Sequence, residues 1–147
     1  MPDVSSIARR WIAIGAVFGA LSVALGAYGA HGLADLLESL GYAGDDLAHR
    51  LDIYDTAIQY QMLHAAALVV VGLALEHRQS AWWRIAAWAF LAGILVFSGL
   101  LKVLAFAGPQ WSWLGAVVPI GGLSMIAGWV ALAIGACKNS VGPRRPH

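Results

Sequence analysis

Charge and cysteine are what this sequence has least of. Only 12% of its 147 residues are Asp, Glu, Lys or Arg, against about a quarter in soluble globular domains. Hydrophobic residues make up 60%, and the mean hydropathy is +0.71. So short a chain cannot hide that apolar excess in a core, because small domains keep much of their surface wet. A bilayer is the solvent it fits. The single cysteine, Cys137, excludes an intrachain disulfide framework and a cysteine-based zinc site. Beside Lys138, at the end of an apolar run, it reads as a bland small residue rather than a site of lipidation or redox chemistry. The sequence also has no Ser, His and Asp in triad order, no glycine-rich phosphate loop and no paired buried carboxylates. Its acidic positions from Asp35 to Asp55 lack the D-x-D-x-D-G arrangement of a calcium loop. Neither catalysis nor a bound cofactor is expected, and the length leaves no room for a separate soluble catalytic module.

What is present is four long apolar runs, at about residues 11–30, 57–75, 82–107 and 113–137. Each reaches the ~20 residues that a helix needs to cross ~30 Å of hydrocarbon. Backbone without internal hydrogen bonds cannot cross lipid, so the runs predict helices. The expectation is an all-α integral membrane bundle of four transmembrane helices, forming a single membrane domain over residues 1–147. The first run could be a cleaved signal peptide, with Arg9 and Arg10 as its basic region and Ala27 and Gly29 as small cleavage residues. It is longer than a signal core and other spans follow, so retention is expected.

Charge predicts direction. Six of the eight acidic residues (Asp35, Glu38, Asp45, Asp46, Asp52 and Asp55) lie in the first loop, residues 31–56, with only Arg50 opposing them. Seven of the nine basic residues, Arg9, Arg10, Arg78, Arg84, Lys138, Arg144 and Arg145, flank the other ends. By the positive-inside rule both termini face the cytoplasm and the acidic loop faces out. Trp11, Trp82 and Trp83 then suit the inner interface, and Trp111 and Trp113 the outer one. The expected location is the cell (inner) membrane, or an organelle membrane in a eukaryote. The basic tail fits topology and anionic lipid better than nucleic acid, so no nucleic-acid partner is expected.

Within the acidic loop, Leu33, Leu36, Leu37 and Leu40 recur with helical spacing. Asp35, Glu38 and Ser39 take the other side, which predicts a short amphipathic helix on the outer membrane surface between spans 1 and 2. Gly41 and Gly44 break it. Asp45 then looks like an N-cap that opens one long helix over about residues 46–76, whose first turns stand above the bilayer.

Small residues stripe the first span. Gly15, Gly19, Ser22, Gly26 and Gly29 repeat at spacings of 4, 3, 4 and 3. Such a stripe lets another backbone approach closely, either within the chain or from another membrane protein or a second copy. In the fourth span, Pro119-Ile-Gly-Gly122 predicts a bend or loosened turn. This is a packing kink or, as in transporters, the lining of a substrate site.

LGAYGAHGL (residues 25–33), AIQYQMLHAAAL (57–68), VFSGLLKVLAF (96–106) and VPIGGLSMIAGW (118–129) resemble, in order, the membrane-protein family called domain of unknown function 423, whose eukaryotic relatives are called transmembrane protein 256. The resemblance implies a four-span bundle with both termini inside, and brings no established activity. The family's recurring polar and small residues match His31, Gln59, Tyr60, His64, Ser98, Gly99, Pro119, Gly121 and Gly122. Lys102 stands where the family usually has tyrosine, Leu100 where serine is frequent, Leu63 where an aromatic is usual and Val118 where threonine is common. A role resting on that tyrosine hydroxyl does not carry over.

His64 lies eight residues beyond Thr56, roughly 12 Å down the helix axis. Lys102 precedes Gly108 by six, roughly 9 Å from the same face. At similar depth, with Tyr60 and His64 on one face and Ser98 and Lys102 on another, the residues predict an outer-leaflet polar cluster. Its members are Gln59, Tyr60, His64, Ser98 and Lys102, with His31 at the rim. Three readings stay open: a hydrogen-bond knot in which Lys102 snorkels toward Asp55 or Asp52, a polar entrance for a proton or small solute, and metal or haem ligation by His31 and His64. His49 and His77 read as interfacial and solvated, and His147 as part of a tail. The expected function is a non-enzymatic accessory or structural subunit that associates through its glycine stripe. The alternative is a small-solute or proton transporter or channel with an outer-leaflet vestibule.

Overall fold

A computed structural model describes residues 4–139. Arg144, Arg145 and His147 lie outside the described residues. Apolar helix formers carry long helices, broken at glycines or prolines except between the second and third spans, where Arg78-Gln79-Ser80 makes the turn. In chain order these are α1 (Val4–His31), α2 (Leu33–Ser39), α3 (Gly44–His77) and α4 (Ala81–Gly93). A π-helical turn (Ile94–Ser98) joins α4 to α5 (Gly99–Phe106), and a 3-10 stretch (Pro109–Ala116) leads into α6 (Val118–Asn139). No strand occurs among the described residues. Four helical segments are long and apolar enough to cross a membrane: Ser6–His31, Gly44–His77, Ala81–Phe106 and Pro109–Lys138. The third combines α4, the π turn and α5.

Gly41 (φ +91°) and Gly44 (φ +58°) take the left-handed conformation that side chains resist, and they separate α2 from α3. The expected Asp45 cap is corrected here. The capping position is Ala43 in extended backbone, with no side-chain hydrogen bond, and Asp45 and Asp46 sit inside the first turn. Carboxylates there complement the positive end of the helix dipole. α2 buries Leu33 and Leu37 against Tyr54 and Ile58, while Leu36 and Leu40 remain exposed.

α3 is the central helix. Half of its apolar window is buried, against 11% for α1. α1 runs along one side of it and the third span along the other, and α6 closes on the third span. Four of the five stripe residues on α1 face α3. A Cβ on Gly15 would stand 2.7 Å from the Ala65 carbonyl, one on Gly29 2.9 Å from the Tyr54 ring, and one on Gly26 3.5 Å from Ile58. Ser22 is buried. Gly72 answers from α3, where a Cβ would come 2.6 Å from Ile12 Cγ1 and 2.9 Å from Ile12 N. In lipid, where helices gain nothing from leaving water, such close packing supplies the attraction. Gly19 departs from the expected stripe, because a Cβ there would meet nothing within 4 Å.

A second small-residue seam joins the third span to α6. Gly121, Gly128 and Gly135 recur every seven residues, and so do Trp83, Phe90 and Phe97 on the antiparallel partner. Each ring residue seats on one glycine: Phe97 on Gly121, Phe90 on Gly128 and Trp83 on Gly135. At Gly121 the contact is with the Phe97 backbone itself, inside the π turn. Ser124 Oγ adds a 2.8 Å hydrogen bond to the Ala89 carbonyl. The expected bend at Pro119 is also corrected. Pro119 lies in the first turn of α6, just after the 3-10 stretch ends, where a missing N–H costs nothing. The irregular turn lies in the third span instead.

Candidate functional site

The second span carries a polar band on an otherwise apolar helix. Gln61 is 1% exposed and His64 3% exposed. Gln61 is the hub. Its Oε1 accepts from the Lys102 ammonium of α5, and its Nε2 donates to the Phe18 carbonyl of α1 at 3.2 Å. Ser22 Oγ donates to that same carbonyl at 2.8 Å. One polar chain thus crosses three helices. Lys102 does not snorkel toward Asp52 or Asp55 as expected. Gln61, on the helix between Lys102 and α1, takes its proton donor first.

His64 lies in an aromatic surround. Phe90, Trp129 and Tyr60 stand with ring centroids 5.5, 6.1 and 6.1 Å away. Its Nδ1 is 2.8 Å from the Tyr60 carbonyl, and the Trp129 indole nitrogen is 3.2 Å from its Nε2. An indole N–H only donates, so Nε2 must accept and Nδ1 must carry the proton. Both ring nitrogens of a neutral imidazole are therefore engaged. That leaves no lone pair for a metal without breaking a hydrogen bond. Among the described residues no group of three or more His, Cys, Asp or Glu could hold a metal ion.

The expected cluster is divided rather than gathered. Tyr60 is exposed, with its ring 4.7 Å from that of Phe97. Gln59 bonds Asp55 on its own helix in an exposed position, and His31 is exposed at the end of α1. Ser98 is 0% exposed in the π turn, and its Oγ has no partner among the described residues. Gln61 and Trp129 were not among the expected site residues. A glutamine within an apolar run was a usable signal for the first, since a buried amide requires partners. Nothing in the sequence pointed Trp129 at His64.

Arg50 was also missed. It is 9% exposed and donates through Nη1 to the carbonyls of Leu104, Ala105 and Ala107 at 3.4, 3.0 and 3.0 Å. These are the orphan acceptors at the end of α5, so a cation from the second span caps the third. Asp46 holds Arg50 Nε at 3.1 Å, and the guanidinium lies 3.5 Å over the Tyr42 ring. Among the described residues, none of five cavities of about 250 to 420 Å³ is lined by Gln61, His64, Ser98 or Lys102.

Residues 25–122 match a family described as "Protein of unknown function (DUF423)". A Haemophilus influenzae protein named UPF0382 membrane protein is 37% identical over 89% of this chain and 96% of its own length. The Bacillus subtilis UPF0382 membrane protein YwdK is 36% identical over 88% of this chain and 98% of its own. The Escherichia coli UPF0382 inner membrane protein YgdD is 30% identical over 88% and 91%. No solved structure matches.

Proposed function

We propose that this chain, which belongs to the DUF423 family of multi-pass helical cell-membrane proteins, is a non-enzymatic accessory or structural subunit of a membrane assembly. The observation that carries this reading is the state of its intramembrane polar groups. Gln61, His64 and Lys102 are hydrogen-bonded within the bundle, Gln61 to α1 and α5, Lys102 to α3, and His64 to α6 and to its own helix. They line none of the five cavities described above. Polar groups that are satisfied within a bundle act as glue between helices, whereas a solute path needs donors and acceptors open to the solute. Gly15, Ser22, Gly26 and Gly29 already face α3 within the chain. Association with another membrane protein or a second copy must then use a different surface. Both termini on the cytoplasmic side belong to the same reading, supported by the charge asymmetry.

One observation favours the alternative, a small-solute or proton transporter or channel. The π turn at Ile94–Ser98 holds a buried Ser98 hydroxyl with no partner among the described residues, and π turns recur at functional sites. His64→Ala separates the two. For a subunit, the variant melts at a lower temperature in detergent and proteoliposome flux stays at the protein-free level. A variant that melts like the parent and changes proton or solute flux overturns the proposal.

A further inference from the structure

At the basic end of the bundle a cleft of about 380 Å³ opens between α1 and α4. Ile7, Arg10, Trp11 and Ile14 line it from α1, at the i, i+3, i+4, i+7 spacing of one helical face. Arg84 and Trp88, one turn apart, line it from α4. No carboxylate is among the lining residues. Neither guanidinium has a hydrogen bond or ion pair among the described residues, in contrast to Arg50 with its carboxylate and carbonyls. Two like charges on separate helices border one cleft, and each loses energy by the other's approach unless an anion lies between them.

Below the arginines the cleft turns apolar. Trp11 packs edge-on against Trp88, with centroids 5.0 Å apart. Ile14 also lines a second groove of about 250 Å³ with Ala13, Val17 and Phe18, and this groove exposes no polar surface. From Arg10 to Phe18 is eight residues, roughly 12 Å along the helix axis. A charged mouth thus opens onto an apolar track directed along a membrane-crossing helix.

We propose that this cleft is a binding site for an anionic phospholipid, with the phosphate between Arg10 and Arg84 and one acyl chain along Ile14 toward Phe18. Charge complementarity selects the headgroup, and basic pockets between membrane helices hold such headgroups. The apolar track selects a lipid over a free anion.

Native mass spectrometry tests this on the detergent-purified full chain, titrated with phosphatidylglycerol and phosphatidylcholine of the same acyl composition. The expected result is a one-to-one adduct favouring phosphatidylglycerol by about tenfold, a preference that two arginines at a lipid surface can supply. The preference should vanish in Arg10→Gln/Arg84→Gln and survive in Arg144→Gln/Arg145→Gln, which removes the same charge elsewhere. Equal binding of the two lipids, or a preference surviving the first double substitution, overturns the proposal. Inorganic phosphate binding as tightly as the lipid also overturns it, because the groove would then contribute nothing. Should Arg10→Gln/Arg84→Gln not fold, the unaltered protein still decides. Phosphatidylglycerol brominated on its acyl chains must quench tryptophan fluorescence more than equally brominated phosphatidylcholine, and equal quenching overturns the site.

Discussion

The indole N–H of Trp129 on α6 donates to Nε2 of His64 on α3 across 3.2 Å. The pair fixes the histidine tautomer and joins two helices far apart in sequence. Trp129→Phe deletes the donor and leaves a smaller aromatic ring, so it should lower unfolding free energy by at least about 0.6 kcal/mol, the average for interhelical hydrogen bonds in membranes, with lost ring packing against His64 and Phe90 adding to it. Thermal or denaturant unfolding in detergent measures it. In a double-mutant cycle with His64→Ala the two losses should not add. Additive losses would show that the contact contributes nothing.

The Gln61–Lys102 bond predicts an asymmetry. Gln61→Leu leaves the half-buried Lys102 ammonium without its partner and should cost more than Lys102→Met, because an unpaired charge kept partly from water is worse than an absent one. Adding Lys102→Met to Gln61→Leu should recover part of the loss. Lys102→Tyr, with a hydroxyl at the position where the resembling family usually has tyrosine, should fold. Equal destabilisation by the two single variants would exclude the bond.

The glycine seams can be ranked. Gly121→Ala puts a methyl against the Phe97 backbone, which cannot rotate away, and should cost about 1 to 3 kcal/mol as overpacking does. Gly128→Ala meets the fully buried Phe90 ring, 2.5 Å from its Cδ1, and should also destabilise. Gly19→Ala should be silent in monomer stability. Gly19→Leu that alters oligomer size without altering monomer melting would identify a second chain at that face. Gly121→Ala as stable as the parent would rule out the seam at that level.

Ser98→Ala should leave stability unchanged or raise it by about 1 kcal/mol, since it removes a buried hydroxyl that has no partner among the described residues. Arg50→Lys should lose stability despite keeping its charge. An ammonium has no planar fork with which to span the carbonyls at the α5 end while stacking on Tyr42. Limited proteolysis of the segment after Phe106 and the melting temperature report both. A destabilised Ser98→Ala, or an Arg50→Lys indistinguishable from the parent, would contradict these assignments.

Topology is predicted with Arg78 inside and Asp45 outside. Because Cys137 is exposed, the labelling background is Cys137→Ser. In that background a cysteine at position 45 should react with an impermeant maleimide on intact cells, and one at position 78 only after permeabilisation. The reverse pattern would invert the protein.

By itself the sequence determined the solvent and the elements. Apolar runs of membrane length must be helical, because lipid offers backbone groups no other partner. Periodic leucines and paired glycines placed α2 and its end, and the α1 stripe announced close packing. These are properties of one helix at a time, and short-range spacing encodes them. What only the tertiary structure decided is which faces meet. The seven-residue recurrences of Trp83, Phe90 and Phe97 and of Gly121, Gly128 and Gly135 stand in the sequence, but they gain meaning only when antiparallel packing sets them in register. The polar residues behaved likewise. Depth and four-residue spacing grouped His31, Gln59, Tyr60, His64, Ser98 and Lys102, whereas rotation about each helix axis turned Gln59, Tyr60 and His31 outward and brought Gln61, Trp129 and the Phe18 carbonyl in. Rotation is set by the sum of side-chain contacts across the bundle, and no single segment contains that sum.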